Sequence, residues 1–419
     1  MDQYLDPGQC GGLKNSSISH YLVKLVDFIH RTLDHSTPHA AVLSVEDLSK
    51  AYNRGSHQLI IEDLHAMHLA PWILSLLCSY LGGRSMVLSY GPGGQGNQQA
   101  RSSPRPLPGG FGAGTFLGGL MFIIKFNGAC LRPPIPRPVS GNKSIQLKYI
   151  DDSTQAASIN LKKSLIADPK DRPRPLQYQE RHHTILNPEE DILQQELDRF
   201  YLWSIQNKLP INRKKCLTMK FSRSRSYDFP MEYTLGSPTI LEERTTLKIL
   251  GIQIQSNLRW NEQVNQMISR ASKTSWVLRR MRALGVDKWT LVEYWKTEGR
   301  VHLEMACPVW HSSLTLAQAR SLERCQRVAM AAIVGHWAPS LTDQLQDLGL
   351  ERLESRRVQI CKRFAHTTAT KSRHKDIFTV AASRLPRPGK VSRVYREPLA
   401  RTAMYRRSAV PYLTRLLNS

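Results

Sequence analysis

Acid is scarce in this chain. Its 419 residues carry 34 Asp and Glu against 58 Lys and Arg, a formal net charge of +24. A deficit of that size disfavours a cationic partner and points to a polyanion, nucleic acid first. The excess is uneven: residues 351–419 hold 17 Lys and Arg against 4 Asp and Glu, a net +13. No Trp/Leu-rich amphipathic face accompanies this charge, which sets a membrane-surface role behind nucleic acid. Paired cysteines are missing too. Cys10, Cys78, Cys130, Cys216, Cys307, Cys325 and Cys361 include no Cys-x-x-Cys, and no Cys/His cluster has zinc spacing. That argues against a zinc-stapled or disulfide-built fold and leaves free thiols in a reducing compartment. Long apolar runs are also missing. APWILSLLCSYL (70–81) and FLGGLMFIIKF (116–126) are too short to span a bilayer, and Lys125 interrupts the second. The opening MDQYLDPGQC has no secretory-leader pattern. The expected setting is therefore intracellular, nucleus or cytoplasm, with no membrane partner.

With 41% hydrophobic residues, the chain can bury sizeable cores and is no disordered segment. Its length suits two or three domains. Ser17–Leu33 has helical periodicity, with Leu22, Leu25, Phe28 and Ile29 on one face. HAAVLSV (39–45) reads as a strand ending at Glu46 and Asp47. His57–Leu81 reads as a helix with a possible break at Pro71. Gly91–Pro108 is too rich in breakers to be an element, and its GPGGQG lacks the Gly-Lys-Ser/Thr ending of a phosphate loop. A second strand runs to Tyr149, a helix covers Glu189–Ile205, and Leu217–Phe221 and Leu247–Ile254 are strand candidates. From Asn261 onward the pattern is helical and ends in a Pro-interrupted basic tail, SRLPRPGKVSRVYREP. His182 and His183 read as loop histidines.

Against this scarcity of acid, IQLKYIDDSTQ (145–155) places Asp151 and Asp152 side by side at a strand end. Adjacent carboxylates repel and cost desolvation. One reading is a turn, since Asp bonds nearby backbone N–H groups. The other is a divalent-metal site handling phosphate. Asp47 ends another strand candidate 104 residues earlier, and paired strands would bring the acids together. Nucleotidyl transfer uses carboxylates in that way, with two Mg²⁺ ions roughly 4 Å apart.

VEDLSKAYN (45–53), LPGGFGAGTFLGGLMF (107–122) and KYIDD (148–152) resemble, in order, the three central motifs of non-LTR (LINE-type) retrotransposon reverse transcriptases. The resemblance extends through QCGGLKNSSISHYL (9–22), LPINRKKCLTMKF (209–221), LKILGIQIQSNLRW (247–260), GRVHLEMACPVW (299–310) and SLERCQRVAMAAIVG (321–335). It implies an α+β right-hand polymerase: a residual fingers or palm helix at 1–35, a palm at 36–255 with an antiparallel sheet, a helical thumb at 256–340 and a basic C-terminal region at 341–419. It implies RNA-directed DNA synthesis, with RNA template, DNA primer, deoxynucleoside triphosphates and two Mg²⁺ or Mn²⁺ ions. Asp47 and Asp151 would be the main metal ligands, with Asp152 assisting. Tyr52 would occupy the space of a ribose 2′-OH, the alternative being a core aromatic. Gly109, Gly110 and Gly114 would let backbone approach template and nucleotide. Lys215 would donate a proton to pyrophosphate or contact its charge, the alternative being a solvated lysine. The resemblance departs at Gly112–Ala113, where the family has Pro-Gln, and it begins where the fingers would be ending. A truncated polymerase is expected, with a catalytically silent nucleic-acid-binding remnant as the alternative.

Overall fold

The computed structural model describes residues 5–90, 100–112, 115–129, 141–167, 184–186, 190–224, 232–336, 340–381 and 394–419. It is a mixed α+β structure built on a five-stranded sheet. The chain enters through helix α1 (Ile18–Leu33) and strand β1 (His39–Glu46). Short α2 (Ala51–Arg54) precedes α3 (His57–Ala66) and α4 (Pro71–Leu81). The expected break falls between these two helices, with Pro71 in the first turn of α4, where its missing N–H costs nothing.

Residues 85–108 correct the sequence reading. β2 (Ser85–Met86) pairs with β5 (Arg105–Pro106), and β3 (Ser89–Tyr90) with β4 (Ala100–Arg101). A nested ribbon therefore flanks 91–99, and GPGGQG lies outside the described residues. Its strands are two residues each, below the length at which a period-2 pattern can show.

Helix α5 (Phe116–Asn127) leads to β6 (Ser144–Tyr149) and β7 (Asp152–Asn160). β8 (Leu165–Ala167) pairs with β9 (Thr184–Leu186), and α6 (Ile192–Gln206) and β10 (Leu217–Ser222) follow. The main sheet runs β11-β10-β1-β7-β6, where β11 is Glu242–Glu243. All its pairings are antiparallel except β10 with β11. β1 sits in the middle, buried on both faces, which is why Ala40–Val45 is nearly all apolar.

Two cores lie on the two faces. Ala40, Val42, Ala157 and Ile159 pack with side chains of α3, α5 and α6, including Ile60, Phe122, Phe126 and Phe200. Ala41, Leu43, Ala156 and Phe221 pack with Leu22, Leu25 and Ile29 of α1 and with the helical half of the chain.

That half begins after a hairpin of β12 (Thr246–Ile249) and β13 (Ile252–Gln255). The sequence reads Leu247–Ile254 as one strand; Leu250 (φ 48°) and Gly251 (φ 86°) turn it back on itself. Then come α7 (Asn261–Ala283), α8 (Lys288–Tyr294), α9 (Arg300–Glu304), α10 (Cys307–Trp310), α11 (Leu316–Val334), α12 (Leu341–Asp347) and α13 (Leu353–Thr370). β14 (Thr379–Val380) pairs with β15 (Tyr395–Arg396), and α14 (Ala403–Arg406) and α15 (Ala409–Leu417) close the chain. The core formed with α1 is continuous through Leu353, Cys361, Ala365 and Leu413. Among the described residues, six cysteines are free, and no helix is long and apolar enough to cross a membrane.

Candidate active site

The β1–β7 register brings the acids together. Val45 lies opposite Thr154 and Glu46 opposite Ser153, so one further step places Asp47 at the level of Asp152. Tyr149 and Asp152 close the β6–β7 hairpin, leaving Ile150 and Asp151 as its two-residue turn. Burial and the neighbouring Asp47 charge raise the Asp151 carboxyl, although Lys215 opposes this. Burial, then Asp151, then Asp47 push Asp152 up to about 6. Three carboxyls thus share one electrostatic environment, as the strand pairing requires.

Asp47 is held from below by the 3₁₀ turn Arg213–Lys215. Its carbonyl accepts from the Asn212 N–H at 2.8 Å, and its own N–H points at Cys216 Sγ at 3.5 Å. Lys215 Nζ lies 3.5 Å from Asp47 Oδ2. Lys215 is therefore an ion-pair partner of the site rather than a solvated lysine alone, though its side chain stays 67% exposed. Asn212 and Lys215, both in the LPINRKKCLTMKF segment that carries part of the family resemblance, meet here as one turn.

Tyr52 sits on α2, half-buried. Its ring stacks on Phe122 with centroids 5.0 Å apart and planes at 23°. Burial and the Asp151 charge raise its phenol, so ring and acid turn are neighbours. The ring thus packs on the core and borders the acids.

Gly109 bridges to Ser56, and Gly110 N–H donates to the Gly55 carbonyl at 2.8 Å. Gly110 has φ 94°, and a Cβ there would lie 3.0 Å from the Tyr52 carbonyl. Phe111 N–H donates to that carbonyl at 2.8 Å. What these glycines approach closely in this structure is the chain's own α2 backbone. Gly114 lies outside the described residues, as do His182 and His183.

Sequence reasoning gave no role to Gln9. It is buried, and its Oε1 accepts from both Gly11 N–H (2.9 Å) and Ile150 N–H (3.2 Å). Gln9 bridges in parallel to Lys148, and Cys10 N–H donates to the Lys148 carbonyl at 2.8 Å. The N-terminal stretch thus braces the free edge of the acid hairpin. Ile150 has φ 61°, an uncommon conformation for a β-branched residue. Its N–H would be left bare without Gln9. The sequence signal was the segment QCGGLKNSSISHYL, which opens on Gln9 without marking its contact to Ile150.

The donor chemistry suits a hard divalent cation, because the Asp151 and Asp152 carboxyls, raised by burial and by acidic neighbours, would be relieved by positive charge. As the residues stand, however, no group of three or more His, Cys, Asp or Glu among the described residues is placed to hold a metal ion. The positive charge on Asp47 in this structure is Lys215.

No family model matches the sequence, and no curated protein matches it. Among solved structures the chain is similar to telomerase from Candida tropicalis in complex with a TWJ fragment of telomeric RNA, at TM-score 0.42 and 9% identity over 88% of this chain and 52% of that one. It is also similar to telomerase from Candida albicans in a corresponding complex, at TM-score 0.31 and 7% identity over 90% of this chain and 53% of that one. The chain spans about half the length of each. At these scores neither fold nor function is carried across, and the site is read from its own residues.

Proposed function

We propose that the sheet half is the palm of a reverse transcriptase of the non-LTR retrotransposon kind, carrying out nucleotidyl transfer on an RNA template and DNA primer. One observation carries the reading: β1–β7 pairing brings Asp47 to the Asp151–Asp152 turn, where its charge raises both of those carboxyls. Mg²⁺ needs only one or two protein carboxylates when substrate phosphates complete its shell. Asp47 and Asp151 would therefore suffice, with Asp152 beside them, and bound Mg²⁺ would supply charge stabilisation at the attacking and leaving oxygens.

The chain's own residues do the rest. Lys215 Nζ, 3.5 Å from Asp47 Oδ2, would donate a proton to a leaving pyrophosphate or contact its charge. Tyr52 lies near Asp151, where its ring would exclude a 2′-OH. Gln9 and the β6–β7 pairing fix the turn so that Asp151 faces the site. The net charge of +24 supplies affinity for the template and primer phosphates.

A second reading is favoured by the Lys215–Asp47 ion pair: an ammonium group already balances the acid that a metal would need. On that reading the chain binds nucleic acid without turnover. Primer extension on poly(rA)/oligo(dT) with Mg²⁺ or Mn²⁺ separates the two. We expect deoxynucleotide incorporation that Asp151→Asn abolishes while binding to the template–primer changes less than about twofold, because affinity comes from phosphate contacts. No incorporation with either metal, with binding intact, selects the second reading.

A further inference from the structure

We infer that the solvent face of α7 is a stacking platform for an unpaired nucleotide of a single-stranded nucleic acid. Helix α7 buries Val264, Met267, Ala271 and Leu278 in the core and lies alongside α11. The two helices run parallel: Gln318 Nε2 donates to Asn261 Oδ1 at 2.7 Å near their starts, and Gly335 abuts Arg282 at their ends. The face left open carries Lys273, Trp276 and Arg280, in register at one-turn and two-turn spacing, with Arg279 beside them. The Trp276 side is 62% exposed. Lys273, Arg279 and Arg280 make no ion pair among the described residues. The helix has one acid, Glu262 in its first turn, roughly 20 Å of helix away from Trp276.

Two ordinary explanations fall short. Cations in a last turn complement the helix dipole, which accounts for Arg280 and Arg282 but not for Lys273 or an indole two turns from the end. A protein-docking patch would be contiguous and apolar; here the exposed residues of α7 within one turn of Trp276 are Ser272, Lys273, Arg279 and Arg280. An isolated indole set among unneutralised cations matches a ligand with a flat π-face joined to negative charge. Single-stranded nucleic acid is such a ligand, since each base can stack while the flanking phosphates meet the Lys and Arg. The side of a duplex is not, because its base faces are already stacked on one another; there the cations alone would act. The inference rests on nucleic acid being the partner, as proposed above, but not on catalysis.

The test uses the full chain in EDTA, which silences any synthesis, and compares anisotropy titrations of a labelled oligo(dT) with those of a blunt duplex. Trp276→Ala should weaken oligo(dT) binding roughly 5- to 100-fold and leave duplex binding within about twofold. Trp276→Phe should retain most of the affinity. Lys273→Gln with Arg280→Gln should lower the slope of log affinity against log salt for oligo(dT) by about 1.4. Because Trp276 is exposed, unchanged thermal melting will show that the variant is folded. Equal weakening of both ligands by Trp276→Ala, or no weakening of either, overturns the platform. Failure of the unaltered chain to bind either ligand removes the nucleic-acid partner and the platform with it. Failure of primer extension alone, with the Trp276 effect present, removes only the polymerase reading.

Discussion

At the residue scale, the acid turn carries a local cost that the rest of the site must offset. A left-handed Ile150 is worth on the order of 1–2 kcal/mol of strain. Such outliers persist where surrounding contacts over-determine them, often at functional positions. Here the Gln9 amide and the Tyr149–Asp152 pair do so. Asp152 adds an electrostatic cost. Its ordinary value of 3.8 is raised to about 6 by burial and by its two acidic neighbours. Between about pH 4 and 6 the unfolded chain has released this proton and the folded chain has not. Stability therefore falls as pH rises through that window and stays lower above it. Asp152→Asn should remove this fall and raise stability at neutral pH, by at most about 1 kcal/mol because solvent still reaches the partly covered Asp152 side chain and screens the repulsion. Denaturant melts near pH 4.5 and pH 7 check this. Added Mg²⁺ should narrow the gap by stabilising the unaltered chain more than the variant. A variant less stable than the parent at pH 7 would mean that Asp152 makes a favourable contact there, contrary to the repulsion argued above.

At the element scale, long periodic segments were legible and tight reversals were not. Leu22, Leu25 and Ile29 announce α1, and the apolar run before Asp47 announces a strand buried on both faces. The β12–β13 hairpin hid inside LKILGIQI because Leu247 pairs with Ile254 and Ile249 with Ile252. Both arms bury the same face, so apolar alternation continues on either side of the turn and looks like one strand. The glycine motif was legible as a close-approach segment, but its partner was not: chain periodicity cannot say that Phe111 plugs the space beside α2. There a Cβ on Gly55 would lie 2.3 Å from Phe111 ring atoms, and Phe111 is fully buried. Gly55→Ala should therefore overpack the α2–Phe111 contact and cost about 1–3 kcal/mol in denaturant melts. It should also displace Tyr52, whose carbonyl receives the Phe111 N–H, so any polymerase activity should fall by more than the stability loss explains. Unchanged stability would show that the Phe111 ring can yield freely and that the glycine is not required there.

At the scale of the whole molecule, the surplus charge misled. A net +13 over residues 351–419, with the Pro-interrupted run SRLPRPGKVSRVYREP inside it, reads as a basic tail. In the structure Pro411 lies in the first turn of α15, where proline is tolerated. α13 buries Leu353, Arg357, Cys361, Ala365 and Thr368, a stripe too polar to stand out as apolar periodicity. These residues share a core with α1, so deleting 351–419 would uncover that core rather than trim a tail. Four histidines mark the seam. His20 bonds Thr368 at 3.0 Å, His374 bonds Ser16 at 2.8 Å, His30 stacks on Tyr405, and His311 packs against Tyr412 beside Arg357. Burial lowers His20, His30 and His311 from 6.5 to about 4, and His374 to about 3, with Lys24, Arg357 and Arg373 adding to the effect and Asp34 and Asp376 opposing it. On acidification the unfolded chain takes up these protons first. The stabilisation is therefore complete above about pH 6.5 and is lost as pH falls toward 4 (toward 3 for His374), with an upper bound of about 3 kcal/mol each for His20, His30 and His311 and about 5 kcal/mol for His374. The raised carboxyls of Asp27, Asp152 and Asp191, each near 6, and those of Asp63 and Asp151 work in the opposite sense over part of that range; of these only Asp27, which accepts from the Tyr405 hydroxyl, lies in the seam, the rest being in the sheet half. Hydrogen exchange at about pH 4.5, corrected for intrinsic rates, should show α13 and α15 losing protection before β1 and β7. His20→Gln with His374→Gln should flatten the dependence. Protection of α13 and α15 that matches its pH 7 level would mean that the seam does not depend on neutral histidines and that apolar contacts alone hold the C-terminal helices against α1.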